Sequence, residues 1–285
     1  MSPDVLATIL ILTSAVFHAV SNALVKAGGD KLAIRAISMA MFAIVALPVV
    51  FFVPLPTAPV WGLLMASVTV NMIYHVCVVN AYRYGDLSLV YPVMRGIAPV
   101  LTGLGAYLVL AEDLSLFQFA GLVVLSLGIF AFALERRSAV TLLSSKGPAL
   151  AFAMVSGICI ALYTLIDATG VRTVDVALTY IAWIFLLDGT LFPIGAALWR
   201  RRTLVAVIQE NTRAGFYSGG LGVISYTLAL YALRLGQTAE VAALRETSVV
   251  FAAMLGAMFM GEAFGKRRIA AAAVIAIGAI ALKMS

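Results

Sequence analysis

Charge is scarce in this chain. Of its 285 residues only 11% are charged, 63% are hydrophobic, and the mean hydropathy is +1.08. A soluble domain carries about 25% charged residues, so a globule with this composition could not clothe its own surface. A soluble enzyme, a DNA-binding module and a disordered chain are excluded on that ground. Cysteine is scarcer still. Cys77 and Cys159 both sit inside apolar runs, which argues against a disulfide framework and for two small buried hydrophobes. Histidine is limited to His18 and His75, with no His-x-x-x-His or comparable metal spacing, so neither a metal nor a cofactor is expected. The start of the chain has Asp4 in place of a basic cluster, and its apolar run is longer than that of a cleaved signal.

What the chain does have is long apolar segments. A hydrocarbon core of about 30 Å takes about 20 residues of helix. Ten segments meet that length: 4–25, 32–53, 59–81, 87–110, 114–134, 147–168, 174–199, 214–234, 239–261 and 267–284. Only 135–146 and 200–213 are long enough to be loops of any size. The runs are continuously apolar, not alternating, which argues against a barrel. Basic residues are lopsided. Numbering the connections from the N-terminus puts fourteen of the 19 Lys and Arg on one side, among them Lys26, Arg83, Arg136, Arg201 and Lys266, against Arg172, Arg234 and Lys283 on the other. The basic-rich side is then cytoplasmic, and with ten helices both termini lie in the periplasm. The net charge of +6 concerns orientation in a bilayer and does not call for a nucleic-acid partner.

The chain also repeats. Ala81 to Gly85 resembles Ala232 to Gly236 at an offset of 151, and Arg95, Glu112 and Gly128 match Arg245, Glu262 and Gly278 at an offset of 150. Each copy holds five helices, an odd number, so the copies sit in opposite orientations. The loop charges agree, because basic loops in one copy match near-neutral ones in the other. The expected fold is an all-α polytopic membrane protein with ten transmembrane helices in two inverted five-helix repeats, 1–138 and 139–285. Inverted repeats are the architecture of secondary transporters, with the substrate near the midplane.

Polar groups at membrane depth are candidate site residues. Arg95, about 12 Å along its helix, either recognises a carboxylate or pairs with Glu246. Its pseudo-equivalent Arg245 either recognises an anionic group in the same way, takes part in an ion pair or proton coupling, or reaches outward, and the structural role is favoured. Tyr91, Arg95 and Pro99 share one helix face, and Pro92 and Pro99 each remove a backbone donor, so this helix is expected to kink and to wall a cavity. Asn71 and His75 share a face, as do His18 and Asn22, and each imidazole either lines the path or simply packs. Asp188 and Glu246 are candidates for proton coupling or for ion pairs. Tyr163, Trp183 and Tyr226, nearest their segment centres, either stack on an apolar or aromatic substrate or belong to interface belts. Trp61 and Trp199 read as belt residues.

The segment from Ala81 through Tyr91, Pro92, Arg95 and Pro99 to Glu112 resembles the hallmark of EamA-type proteins of the drug/metabolite transporter superfamily. His18, Asn22 and Lys26 resemble the first-helix pattern of one branch, where a Trp often replaces Ser21. Ala242 to Val250, with Gly261 and Glu262, is similar in the second copy. The resemblance implies a basket of helices around a central cavity, alternating access, and commonly export of amino acids or related metabolites across the bacterial inner membrane. The expected partners are an amino acid and the lipid bilayer, with the monomer as working unit. Two alternatives are an exporter of organic cations and a carrier of anionic metabolites. The first segment has no acid beyond Asp4, which disfavours the cation exporter. A more distant alternative is an intramembrane enzyme using His18, His75 and Asp188.

Overall fold

The computed structural model describes residues 2–85, 87–133, 147–200, 202–259 and 265–283. Helices are the regular elements among them: α1 Pro3–Ala27, α2 Lys31–Val49, α3 Ala58–Tyr84, α4 Leu87–Val109, α5 Leu116–Ala133, α6 Gly147–Thr173, α7 Ala177–Arg200, α8 Arg202–Leu235, α9 Thr238–Arg245, α10 Ser248–Phe259 and α11 Lys266–Ala281. Among the described residues, seven spans are long and apolar enough to cross a membrane. Within the described residues, the ten segments read from the sequence lie mainly on helix, with 239–261 divided between two. The repeat boundary at 138/139, the expected loop 135–146, Arg136, Arg201, Gly261 and Glu262 lie outside the described residues.

Two expectations are corrected. The stretch 200–213 is not a loop, because α8 begins at Arg202. Ile208 packs against the buried cluster of Ala33, Ala36 and Ala196, and the Asn211 side-chain oxygen Oδ1 accepts a hydrogen bond from the Asp30 backbone N–H at 3.1 Å. Packing on α2 therefore extends the helix past its apolar run. The segment 239–261 is not one helix. It breaks after Arg245, where Glu246 N–H bonds to the Ala243 carbonyl at 3.0 Å and Thr247 N–H to the Leu244 carbonyl at 3.2 Å. These are tight i→i−3 turns in place of the i→i−4 ladder.

The chain forms two compact units. One comprises Met1–Val68, Asp167–Leu235 and Ser248–Glu262; the other comprises Thr69–Ile166, Gly236–Thr247 and Ala263–Ser285. In the first, α1 and α8 are antiparallel and joined by reciprocal serine pairs. The Ser14 hydroxyl donates to the Ser225 carbonyl at 2.7 Å and the Ser225 hydroxyl donates back to the Ser14 carbonyl at 2.8 Å. Ser21 and Ser218 repeat the exchange at 2.8 and 3.2 Å. Both spacings are seven residues, two helical turns, so the pairs fall on one seam. Small hydroxylated residues suit a membrane interface, where apolar burial supplies no drive between helices.

The ends of α6 and α8 are tied by arginine. Arg234 donates to the carbonyls of Val171, Val174 and Asp175 at 3.1, 2.9 and 2.8 Å, and Arg172 donates back to the Leu233 carbonyl at 2.8 Å. These carbonyls belong to or follow the last turn of α6, where a cation is favoured. Arg234→Ala should lower stability by about 2–3 kcal/mol, as expected for lost charge-assisted hydrogen bonds, whereas Arg234→Lys should recover only part of it because a single ammonium cannot span all three carbonyls. Thermal unfolding in detergent measures both.

In the second unit the chain turns just past the end of α4 at Ala111, whose φ of 51° is left-handed, and Glu112 N–H bonds back to the Ala106 carbonyl at 3.1 Å. This turn aims the Glu112 carboxylate at the start of α9. There it accepts the Thr238 backbone N–H at 2.7 Å and the Thr238 hydroxyl at 2.6 Å. A glutamate of the sequence hallmark thus caps a helix from outside that helix. On the other side of this unit α5 and α11 pack through glycines, with Gly121, Gly128 and Gly278 facing the opposite backbone.

Candidate functional site

The second unit gathers a polar cluster from α3, α4, α6 and the break after α9. Arg95, 8% exposed, donates from Nη1 to Oε1 of Glu246 at 2.9 Å, and Glu246 is 3% exposed. Glu246 occupies the first residue past the end of α9. Its second oxygen, Oε2, is buried and accepts no hydrogen bond among the described residues. The Arg95 guanidinium carbon stands 5.8 Å from the centre of the Tyr91 ring, within cation–π range. Tyr91 lies one turn before Arg95 on α4, and Pro99 one turn after. Pro99 is buried, and its missing N–H removes the helical donor to the Arg95 carbonyl.

Around this pair Tyr74 and Tyr163 meet edge-on at 6.1 Å. Both pack with Tyr91 against Met94, Ala98 and Ile160. Tyr74 also stands 5.1 Å from the His75 ring. Arg245, half-buried, acts electrostatically on the Tyr163 hydroxyl. The arrangement is a buried cation and anion in contact, walled by aromatic rings with hydroxyl groups. It can hold a solute bearing both charges, provided the internal pair opens. Asn71 and His75 are half-buried on the same stretch of α3.

The first unit holds a different cluster, described by itself. Asp167, 1% exposed, accepts the Ser67 hydroxyl at 2.6 Å and the Tyr180 hydroxyl at 2.9 Å on Oδ1, and the Tyr226 hydroxyl on Oδ2. Tyr226 stacks on Phe185 at 5.6 Å, and Phe185 meets Phe42 edge-on at 4.8 Å. Trp183 is edge-on to Trp61 at 4.9 Å, and its indole N–H finds no hydrogen-bond partner among the described residues. Asp188 is buried on α7 and His18 half-buried on α1.

Residues 147–284 match the EamA-like transporter family. The matched stretch is just under half of the chain, and it is a similarity of that stretch to the family. The family is one of membrane transporters and not of enzymes. Together with seven spans among the described residues that are long and apolar enough to cross a membrane, this match indicates a multi-pass membrane protein. One solved crystal structure is similar over 96% of this chain and 95% of its own, with a TM-score of 0.70 and 15% sequence identity; the likeness concerns the fold. No curated protein matches.

Of the residues singled out in the sequence, Tyr91, Arg95, Tyr163 and Glu246 come together, with Arg245 acting on Tyr163. Trp183, Tyr226, Asp188 and His18 belong to the other unit. Two contributors were missed. Tyr74 is four residues from Val70 and Val78 on one face of α3, a spacing that marks it. Asp167 stands one residue before the end of the 147–168 segment, where hydropathy does not distinguish an interior acid from a boundary one. Helix α6 runs on to Thr173.

Proposed function

We propose that this EamA-like protein is a secondary transporter that exports amino acids, broadly or with a preference for aromatic and apolar ones, across the bacterial inner membrane by alternating access. On this reading the ten segments form two inverted five-helix repeats, 1–138 and 139–285, around a central cavity, both termini face the periplasm, and the monomer is the working unit. The likeness to amino-acid exporters of the YddG type, read from the sequence, points the same way.

The observation that carries the reading is the buried Arg95–Glu246 pair ringed by Tyr74, Tyr91 and Tyr163. An amino acid brings one carboxylate and one ammonium. Its carboxylate can replace Glu246 on Arg95, and its ammonium can take Glu246, including the unused Oε2. Every buried charge then stays compensated, which avoids the large penalty of an unpaired ion in an apolar interior. An organic cation would satisfy Glu246 and strand Arg95. An anionic metabolite would do the reverse. The tyrosine rings offer apolar faces to a side chain and hydroxyls to the backbone groups.

Reconstituted in liposomes, the protein should move at least one L-amino acid well above the rate of empty vesicles. Aromatic and apolar members should compete with it, and organic cations or phosphorylated compounds should not. No flux for any member of a full amino-acid panel overturns the reading.

A further inference from the structure

Asp167 is a carboxylate at membrane depth. It sits six residues before the end of α6, about 9 Å from that end at 1.5 Å per residue. Tyr226 is nine residues before the end of α8 and Ser67 nine residues into α3, each about 13 Å from its helix end. The helix ends concerned carry Arg172 and Arg234 and face the side poor in basic residues, which the positive-inside rule assigns to the outside. A carboxylate in such a place is costly and is retained where it moves or binds something.

Among the groups facing Asp167 are Ser67 from α3, Tyr180 from α7 and Tyr226 from α8. Asp188, also on α7, couples electrostatically to Tyr180. A hydroxyl can donate or accept, so this shell serves two states. With Asp167 charged, three O–H groups donate to it. With Asp167 protonated on Oδ2, its new O–H donates to the Tyr226 oxygen while Ser67 and Tyr180 still donate to Oδ1. The Tyr226 hydrogen must then turn elsewhere. No covalent bond other than O–H is made, and the proton comes from water. Because Tyr226 stacks on Phe185 and Phe185 abuts Phe42, turning the hydroxyl bears on a packed aromatic row.

We propose that Asp167 is a proton-binding site that couples export to proton entry, with Tyr226 as the group that the proton repositions. The coupling rests on the transporter reading above; the proton binding does not. Two measurements on the full-length protein test it. Infrared difference spectra between about pH 9 and about pH 5 should show a protonated-aspartate band that carbon-labelled aspartate shifts. The band should persist in Asp188→Asn and Tyr226→Phe and vanish in Asp167→Asn. In liposomes with an imposed pH gradient, Asp167→Asn should keep amino-acid exchange within about twofold of wild type and lose gradient-driven accumulation, whereas Asp188→Asn keeps both. A wild-type protein with no such band overturns the proposal without any variant having to fold. So does an Asp167→Asn protein that still accumulates substrate, or one whose exchange and accumulation fall in equal proportion, as a structural role would give. A wild type that shows the band but moves no amino acid counts against the transporter reading alone.

Discussion

Arg95→Ala is expected to abolish amino-acid flux and to lower stability by about 3–5 kcal/mol, the cost of stranding one member of a buried pair. Glu246 would keep a charge at 3% exposure with its principal donor gone, and Tyr91 would lose the cation beside its ring. Glu246→Ala should do the same from the other side, leaving the guanidinium uncompensated. Loss of flux alone would not show recognition, because a damaged fold also fails to transport. The double variant Arg95→Met with Glu246→Leu separates the two. Replacing a whole buried pair by apolar groups of similar size is often neutral or stabilising, so thermal stability should return close to wild type. Flux should stay absent, because the two charges that receive the substrate on the proposed reading are gone. A double variant that transports would make the pair a scaffold and overturn its role in binding. The coupling between the two single changes, read from the cycle, measures the pair itself.

The pairing of these two residues illustrates what a sequence can and cannot disclose. Arg95 and Glu246 stood out because a charge inside an apolar run is expensive wherever it ends up. On that ground Glu246 is one partner for Arg95, but each residue is left between an ion pair and another role, carboxylate recognition for Arg95 and proton coupling for Glu246; the 2.9 Å contact joins the two. The helices were legible for a similar reason, since twenty apolar residues have few alternatives to a spanning helix. Their ends were less so. The start of α8 at Arg202 depends on Ile208 and Asn211 packing against α2, a tertiary contact that hydropathy does not register. The break after Arg245 leaves no Gly or Pro as a marker. Asp167 was hidden by the same weakness at helix ends: an acid five residues before Arg172 reads as the edge of a span when it is inside one.

Gly278→Leu is expected to prevent folding, and Gly278→Ala to cost at least about 1–3 kcal/mol, the usual penalty for overpacking. A β-carbon at Gly278 would lie 2.6 Å from the Leu125 nitrogen and 2.8 Å from the Gly121 carbonyl oxygen. Both are backbone atoms of α5, so no side chain can swing aside; α5 and α11 would have to separate. Gly128, which the offset of 150 pairs with Gly278, lies in the same contact, its β-carbon position 2.9 Å from the Ile275 nitrogen. The sequence marked the two glycines as equivalent positions of two copies. The fold packs α5 against α11, so both glycines lie in one interface, with Gly278 against Leu125 and Gly121, and Gly128 against Ile275 and Val274, and small residues on both helices permit the close approach. Two neighbours on α8 supply the control. A β-carbon at Gly219 would meet the Ser38 carbonyl oxygen at 2.8 Å, whereas at Gly220 nothing lies within 4 Å. Gly219→Ala should therefore destabilise, while Gly220→Ala, one residue on, should stabilise by about 0.4–1 kcal/mol through the helix preference of alanine. If both alanines shift the unfolding temperature in the same direction, helix propensity and not backbone approach governs these glycines, and the expectation for Gly278 falls with it.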